Sequence, residues 1–201
     1  MPSASSTSLR ERHRETTREV ILDASEATFF KEGLSQTRIE DVAATAGVAV
    51  GTIYNHFADR AALIGALLER RREEALRLVD GALADQARAP FAARLETVLT
   101  TLMTFFESHR VLFSLLLDEE IHSDKARRHS SMAALAGRFE KLVAAGVAEG
   151  ALRKEDCELF PSLLAGMIRG LFSNALRAKA SPALLGTVKP MVRLFLQGAA
   201  P

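Results

Sequence analysis

The stretch Val50-Gly51-Thr52-Ile53-Tyr54-Asn55-His56-Phe57 gathers a hydroxyl, a phenol, an amide and an imidazole within two helical turns. On a helix over these residues, Ile53 and Phe57, four apart, share one apolar face. Val50, Gly51, Tyr54 and Asn55 are then turned outward. That is the chemistry of a helix lying in a DNA major groove, which is wide enough to admit one. Gly51 lets the backbone come close, Val50 offers a methyl surface for thymine, and Asn55 can hydrogen-bond a base edge or a phosphate. Thr52, Tyr54 and His56 are donors of the kind that fix register on phosphates. Thr37 and Arg38 at the start of the preceding helix join the candidate DNA-contact set.

Other chemistry is harder to build. Glu119-x-x-His122 has the spacing of carboxylate-bridged metal bundles, but such sites use the motif twice with further glutamates. It occurs once, beside Asp118, Glu120 and His129, and no metal is expected. Asp118 and His122 read more simply as a local hydrogen-bonded pair. Cys157 lies between Asp156 and Glu158, an acidic setting that disfavours a thiolate. No nucleophile elbow, phosphate-binding loop or dinucleotide fingerprint is present, so neither an enzyme nor a bound cofactor is expected.

The elements that must position these residues are helical. Ala, Leu, Arg and Glu, all strong helix formers, dominate, and period-two runs of β-branched residues are scarce. A first helix carries Val20, Ile21, Ala24, Ala27 and Phe30 as its predicted buried stripe and ends at Gly33. Thr37-Arg38-Ile39-Glu40 fits a capping box, with Thr37 as cap and Glu40 reaching back. The second helix runs through Ile39, Val42, Ala43 and Ala46 to Gly47. A third covers Val50 to Phe57, and Val48 plugs the turn between them, the outline of a helix-turn-helix. A long helix then runs from about Arg60 to Asp85, where Arg88-Ala89-Pro90 interrupts. Further helices are expected near 91–108, 110–121, 124–149, 156–179 and 182–198, the last opened by Ser181-Pro182. Gly150 separates two of them, and Pro161 and Pro190 predict a late start or a kink. The fold class is all-α with about nine helices.

Thr37 through Phe57, with Ile21-Leu22-Asp23-Ala24, Phe29-Phe30-Lys31-Glu32-Gly33 and Asp59-Arg60-Ala61-Ala62-Leu63 around it, closely resembles the signature of the TetR/AcrR family of transcriptional regulators. The resemblance is specific over about residues 16–68. It implies an N-terminal three-helix DNA-binding domain and a C-terminal helical ligand-binding and dimerisation bundle. It also implies a phosphate-contacting role for Arg60, where the family usually has Lys. Position 49, often a Ser or Thr cap in the family, is Ala49 here, so the third helix is expected to fray. Three segments follow: a disordered arm over 1–14, the DNA-binding domain over 15–60 and the regulatory domain over 61–201.

In that last segment Met103, Phe106, Phe113, Leu116, Met132, Phe139 and Met167 are candidates for an apolar pocket. Phe105 and Phe172 belong to the same large apolar set, most of which must be core. Leu164, Ile168, Leu171, Met191, Leu194 and Phe195 are candidates for a dimer surface. A homodimer also follows from function, because one recognition helix makes few base contacts and two on a two-fold axis read a palindrome. The resemblance therefore implies a repressor released from palindromic double-stranded operator DNA by a small, largely apolar effector. The rival reading is a helical small-molecule carrier or adaptor with a vestigial DNA-binding head.

Bulk properties restrict these readings further. The chain has 201 residues, 48% hydrophobic and 25% charged, as in ordinary globular proteins. A net charge of +1 supplies no general attraction to nucleic acid, so any DNA contact must come from local placement. Arg10, Arg12 and Arg14 are interleaved with Glu11 and Glu15, which favours a solvated helix start over a DNA-entering arm. The single cysteine excludes an intramolecular disulfide and suits a reducing cytoplasm. The Ser-rich start lacks the apolar core of a secretory signal, and no apolar run reaches the roughly 18 residues of a membrane span. A cytoplasmic protein without membrane partners is expected.

Overall fold

The computed structural model describes residues 4–33, 36–114, 125–155, 157–177 and 183–199. Nine helices occur among them: α1 Ala4–Glu32, α2 Ile39–Ala46, α3 Val50–His56, α4 Arg60–Asp85, α5 Phe91–Ser108, α6 Arg110–Ser114, α7 Lys125–Ala148, α8 Phe160–Arg177 and α9 Leu185–Ala199. The described residues include no strand, and no described helix is long and apolar enough to cross a membrane. Two compact units divide within α4, one running through Arg70 and the other starting at Arg71.

In the first unit α1 packs on α2, and α2 on α3. The core contains Ile21, Leu22, Phe29, Ile39, Val42, Ala43, Ile53, Phe57, Leu63, Ile64 and Leu67, all buried. The α1 stripe differs from the sequence expectation. Ile21 and Ala24 are buried, but Val20, Ala27 and Phe30 are exposed, Phe30 at 75%. Ser25 and Thr28 take inward places instead, because each hydroxyl donates to the carbonyl one turn back, at 2.6 Å to Ile21 and 2.7 Å to Ala24. A serine or threonine satisfied in this way can be buried without an orphaned donor. The Thr28 hydroxyl also meets that of Thr45 at 3.1 Å, joining α1 to α2.

Two boundaries differ as well. The expected arm over 1–14 is helical from Ala4 onward, and from Leu9 it contains good helix formers of alternating charge. The first unit extends past residue 60 because the start of α4 belongs to it. Arg70, whose side chain is 15% exposed, clasps three carboxylates of α1. Its Nη1 donates to Glu19 Oε2 at 3.0 Å and to Asp23 Oδ1 at 2.7 Å, and its Nη2 reaches Glu26 Oε2 at 3.5 Å.

In the second unit α5 is the central element, packed against α7 and α9, and α8 packs against α7 and α9. Its buried face is Phe91, Leu95, Val98, Leu99, Leu102, Met103 and Phe105. Polar ties hold the periphery. Arg138 forks onto Asp80, with Nε–Oδ1 at 2.8 Å, and Arg94 pairs with Glu149. The Glu107 carboxylate accepts the Leu184 N–H, and Arg110 donates to the carbonyl of Ala175 near the end of α8. Pro161 sits in the first turn of α8, where no backbone donor is needed. The start is therefore late, at Phe160 rather than 156. Pro190 lies inside α9. Ser181 and Pro182, the expected opening of α9, lie outside the described residues.

Gly146 in α7 has a steric role. A Cβ there would come within 2.6 Å of Phe91 Cδ2, 2.7 Å of Phe91 Cε2 and 3.0 Å of Leu152 Cδ1. Phe91 is 1% exposed and has no open side to move toward. Gly146→Ala is therefore expected to destabilise the protein by about 1–3 kcal/mol despite alanine's better helix propensity. Thermal or urea unfolding checks this. A stability equal to the parent's would show that the Phe91 ring yields without cost.

Candidate nucleic-acid interface

The start of α2 is capped one residue later than its sequence suggests. Arg38 is the N-cap, with extended backbone at φ −102° and ψ 161°, and its N–H donates to Asp41 Oδ2 at 2.8 Å. An arginine side chain has no acceptor, so the return half of a capping box is missing. Thr37 faces inward instead, 4% exposed, its hydroxyl donating to the Gly33 carbonyl at 2.8 Å. Thr37 thus leaves the DNA-contact set as a clamp on the α1–α2 turn, whereas Arg38 stays on the surface. The cause is a tie in the sequence, since Glu40 and Asp41 both stand at capping distance from a polar residue.

The turn between α2 and α3 is set by Gly47 at φ +67°, a left-handed conformation that favours glycine. The Gly47 N–H reaches the Ala44 carbonyl at 3.3 Å and the Val48 N–H the Ala43 carbonyl at 3.0 Å. This paired closure of a helix C-terminus leaves the chain ready to turn. Val48 is half-buried. Ala49, the residue before α3, provides no side-chain cap. The Thr52 N–H closes onto the Ala49 carbonyl at 2.8 Å. At the other end Phe57 leaves helical geometry at φ −135°, and Asp59 caps α4 by accepting the Ala62 N–H at 2.7 Å.

The two faces of α3 separate as expected. Ile53 is 1% and Phe57 5% exposed, while Tyr54 is 51% exposed. Gly51 and Asn55 are exposed, and Val50, Thr52 and His56 half-buried. Arg60 is half-buried, its guanidinium carbon 5.9 Å from the centre of the Phe29 ring.

Helix α1 contributes charges that the sequence reading did not bring to this place. The Arg18 guanidinium lies 5.7 Å from the centre of the Phe57 ring and pairs with Glu19 at 3.2 Å and Glu15 at 3.6 Å. Burial first, then the positive charges of Arg14 and Arg18, push His56 below its ordinary value of 6.5, with Glu15 opposing. His56 is therefore a neutral imidazole at pH 7, able to donate one hydrogen bond and accept another. The available signal was helical phase, since 14 and 18 are one turn apart.

The second unit sorts its own candidates. Met103 and Phe139 are each 1% exposed and Phe113 2%, whereas Phe106 and Met167 are half-buried. Phe106 lies 4.5 Å from Phe172, ring centre to ring centre, and Phe113 meets both edge-on at 5.1 and 5.5 Å. Leu116 and the side chain of Met132 lie outside the described residues, as do Asp118, Glu119, Glu120, His122 and the side chain of His129. The expected dimer set splits. Leu164, Ile168, Met191 and Phe195 are buried within the single chain, and Phe195 meets the Phe160 ring edge-on at 5.8 Å. Only Leu194, 60% exposed, and the half-buried Leu171 remain available. On the outer side of α8, Leu163 is 53% exposed among Ser162, Arg169 and Asn174. Sequence periodicity cannot say which apolar face a chain keeps for itself.

Comparison with known proteins agrees with this geometry. Residues 21–67 match the family model described as bacterial regulatory proteins, tetR family. The transcriptional regulator TtgR of Pseudomonas putida is 44% identical over 57 residues, covering 28% of this chain and 27% of that protein. The chain thus matches only about a quarter of that relative's length. The transcriptional repressor NicS of Pseudomonas putida is 28% identical over 162 residues, covering 75% of this chain and 73% of that protein. Among solved structures, the regulator FadR of Bacillus subtilis in complex with stearoyl-CoA superposes with a TM-score of 0.73 at 18% identity, covering 90% of this chain and 98% of that one.

Two outcomes are expected from α3. Ala49→Ser supplies the missing cap and should raise stability by about 1 kcal/mol, read by thermal unfolding. No gain would mean that α3 is already fully held by its neighbours. Because His56 has a folded value below 6.5, the unfolded chain binds its proton first. Stability should therefore fall as pH drops from about 6.5 through that lower value. His56→Gln should flatten this part of the curve, and an unchanged slope would remove His56 as its source.

Proposed function

Because the chain belongs to the TetR family of bacterial regulatory proteins, we propose that it is a homodimeric, cytoplasmic repressor, held on a palindromic operator and released by a small, largely apolar ligand. The observation that carries this reading is the division of α3, with Ile53 and Phe57 buried and Tyr54 and Asn55 presented to solvent. A helix docked in this way enters a major groove with its outward residues first.

Each residue then has a role. Val50 and Asn55 read base edges, through a methyl contact and an amide hydrogen bond. Thr52, Tyr54 and His56 donate to phosphates, and Arg38 and Arg60 bring positive charge to the backbone. Gly51 keeps the helix surface low where it meets the duplex.

Dimerisation is supported by the exposed Leu163 and Leu194 on α8 and α9. An apolar ligand is supported by the half-buried Phe106–Phe172 pair and by the acyl ligand of the FadR relative. Release works as a population shift, in which the ligand binds the DNA-incompetent dimer more tightly than the competent one. No observation favours a carrier with a vestigial head, since the groups that α3 would turn to DNA are intact.

The test is to sequence genomic fragments retained by the purified protein, beside Tyr54→Ala and His56→Ala controls. A palindromic motif that weakens in both controls is expected, and changes at Val50 or Asn55 should alter base preference at single positions. Removing one base-reading side chain should cost about 1–3 kcal/mol of discrimination. Retention with the same motif and strength in every variant would remove α3 from the interface.

A further inference from the structure

The long helix α1 has a face that changes character along its length. Residues 10, 14, 18, 21, 25 and 28 follow one another at steps of four or three and share that face. From Ile21 to Thr28 it is buried, at 0% for Ile21 and Ser25 and 3% for Thr28. At Arg18 it is half-buried, with the guanidinium over Phe57 at the end of α3. Beyond that the same face holds Arg14 and Arg10, both exposed. A core-facing stripe therefore continues toward the N-terminus as a row of three arginines.

A purely solvated helix start would not need this arrangement. The charges of Arg14 and Arg18 both act on His56, so the row runs on the side of α1 that faces the end of α3. The carboxylates are offset from this row, and of them only Glu15 also acts on His56, against the two arginines. Glu11, Glu15 and Glu19 each follow an arginine by one position and are turned about 100° away. Glu15 and Glu19 are engaged with Arg18, and Glu19 also with Arg70. Arg10 and Arg14 make no ion pair among the described residues.

We propose that this row belongs to the DNA interface: Arg10 and Arg14 bind phosphates of duplex DNA beside the base pairs met by α3. This rests on the DNA-binding reading above and enlarges its footprint. Long cationic side chains on a helix edge suit the backbone, whose contacts position a protein without carrying sequence information. With a net charge of only +1, the chain needs such local cations to gain from counterion release.

The experiment titrates the full-length protein into labelled duplexes at several salt concentrations, following fluorescence anisotropy. One duplex carries the motif recovered from genomic fragments, the other a scrambled sequence. The double variant Arg10→Ala/Arg14→Ala should lower the slope of log affinity against log salt by about 0.9 for each phosphate that is no longer neutralised, roughly 1.8 for the pair. It should weaken both duplexes by the same factor. Arg10→Lys/Arg14→Lys should restore the slope, because binding a phosphate needs the charge rather than the fork. Both positions are exposed and alanine favours helix, and the melting curve of each variant verifies the fold. An unchanged slope with the parent still selecting its motif overturns this proposal alone. Loss of preference at flanking A·T pairs would mean minor-groove reading by the arginines and also overturns it. Failure of the parent to bind either duplex better than Tyr54→Ala overturns the DNA-binding reading together with it.

Discussion

Seven residues of helix are too few to persist in water, because a nucleus costs more than so short a run of hydrogen bonds returns. Helix α3 has no side-chain cap to lower that cost. What holds it is the burial of Ile53 and Phe57, each contributing on the order of 1.5–3 kcal/mol. Every outward residue of α3 depends on those two. Their seat in turn requires α2, short itself and anchored by Ile39, Val42 and Ala43, and requires Gly47 to turn the chain between the pair. The platform beneath is α1, whose inward hydroxyls are satisfied within their own helix and so leave no buried donor unpaired.

The second unit solves a different problem. Its central helix α5 buries seven large apolar side chains, and its polar ties are placed at helix ends and outer faces rather than inside. The Phe106, Phe113 and Phe172 rings break this uniformity. They contact one another by edges and tilted faces, as aromatic quadrupoles prefer, yet two of the three are only half-buried.

Much of this was legible in the sequence. The spacing of Ile53 and Phe57, the glycine turn and the interruption at Pro90 identify α3, its outward face and the limits of α4 and α5 to within a residue or so. The failures have specific causes. The cap of α2 moved from Thr37 to Arg38 because two adjacent acids compete for one role. The α1 stripe departs from the apolar pattern because Ser25 and Thr28 look polar in sequence but are internally satisfied in a helix. Leu164, Ile168, Met191 and Phe195 could not be divided from Leu163 and Leu194, since period describes faces and not what lies against them. Gly146 carried no signal at all, because its constraint comes from Phe91, far away in the chain.

The Arg70 clasp bears on how this sequence can vary. Three carboxylates converge on one guanidinium, so the arrangement is redundant on one side and singular on the other. Any one of Glu19, Asp23 or Glu26 can be exchanged while two acceptors remain for the cation. Loss of Arg70 instead removes the one cation that all three share, and their mutual repulsion along one helix face is no longer offset there. Drift should therefore be tolerated among the acids and resisted at the arginine, a one-sided permissiveness written into the geometry of α1 and α4.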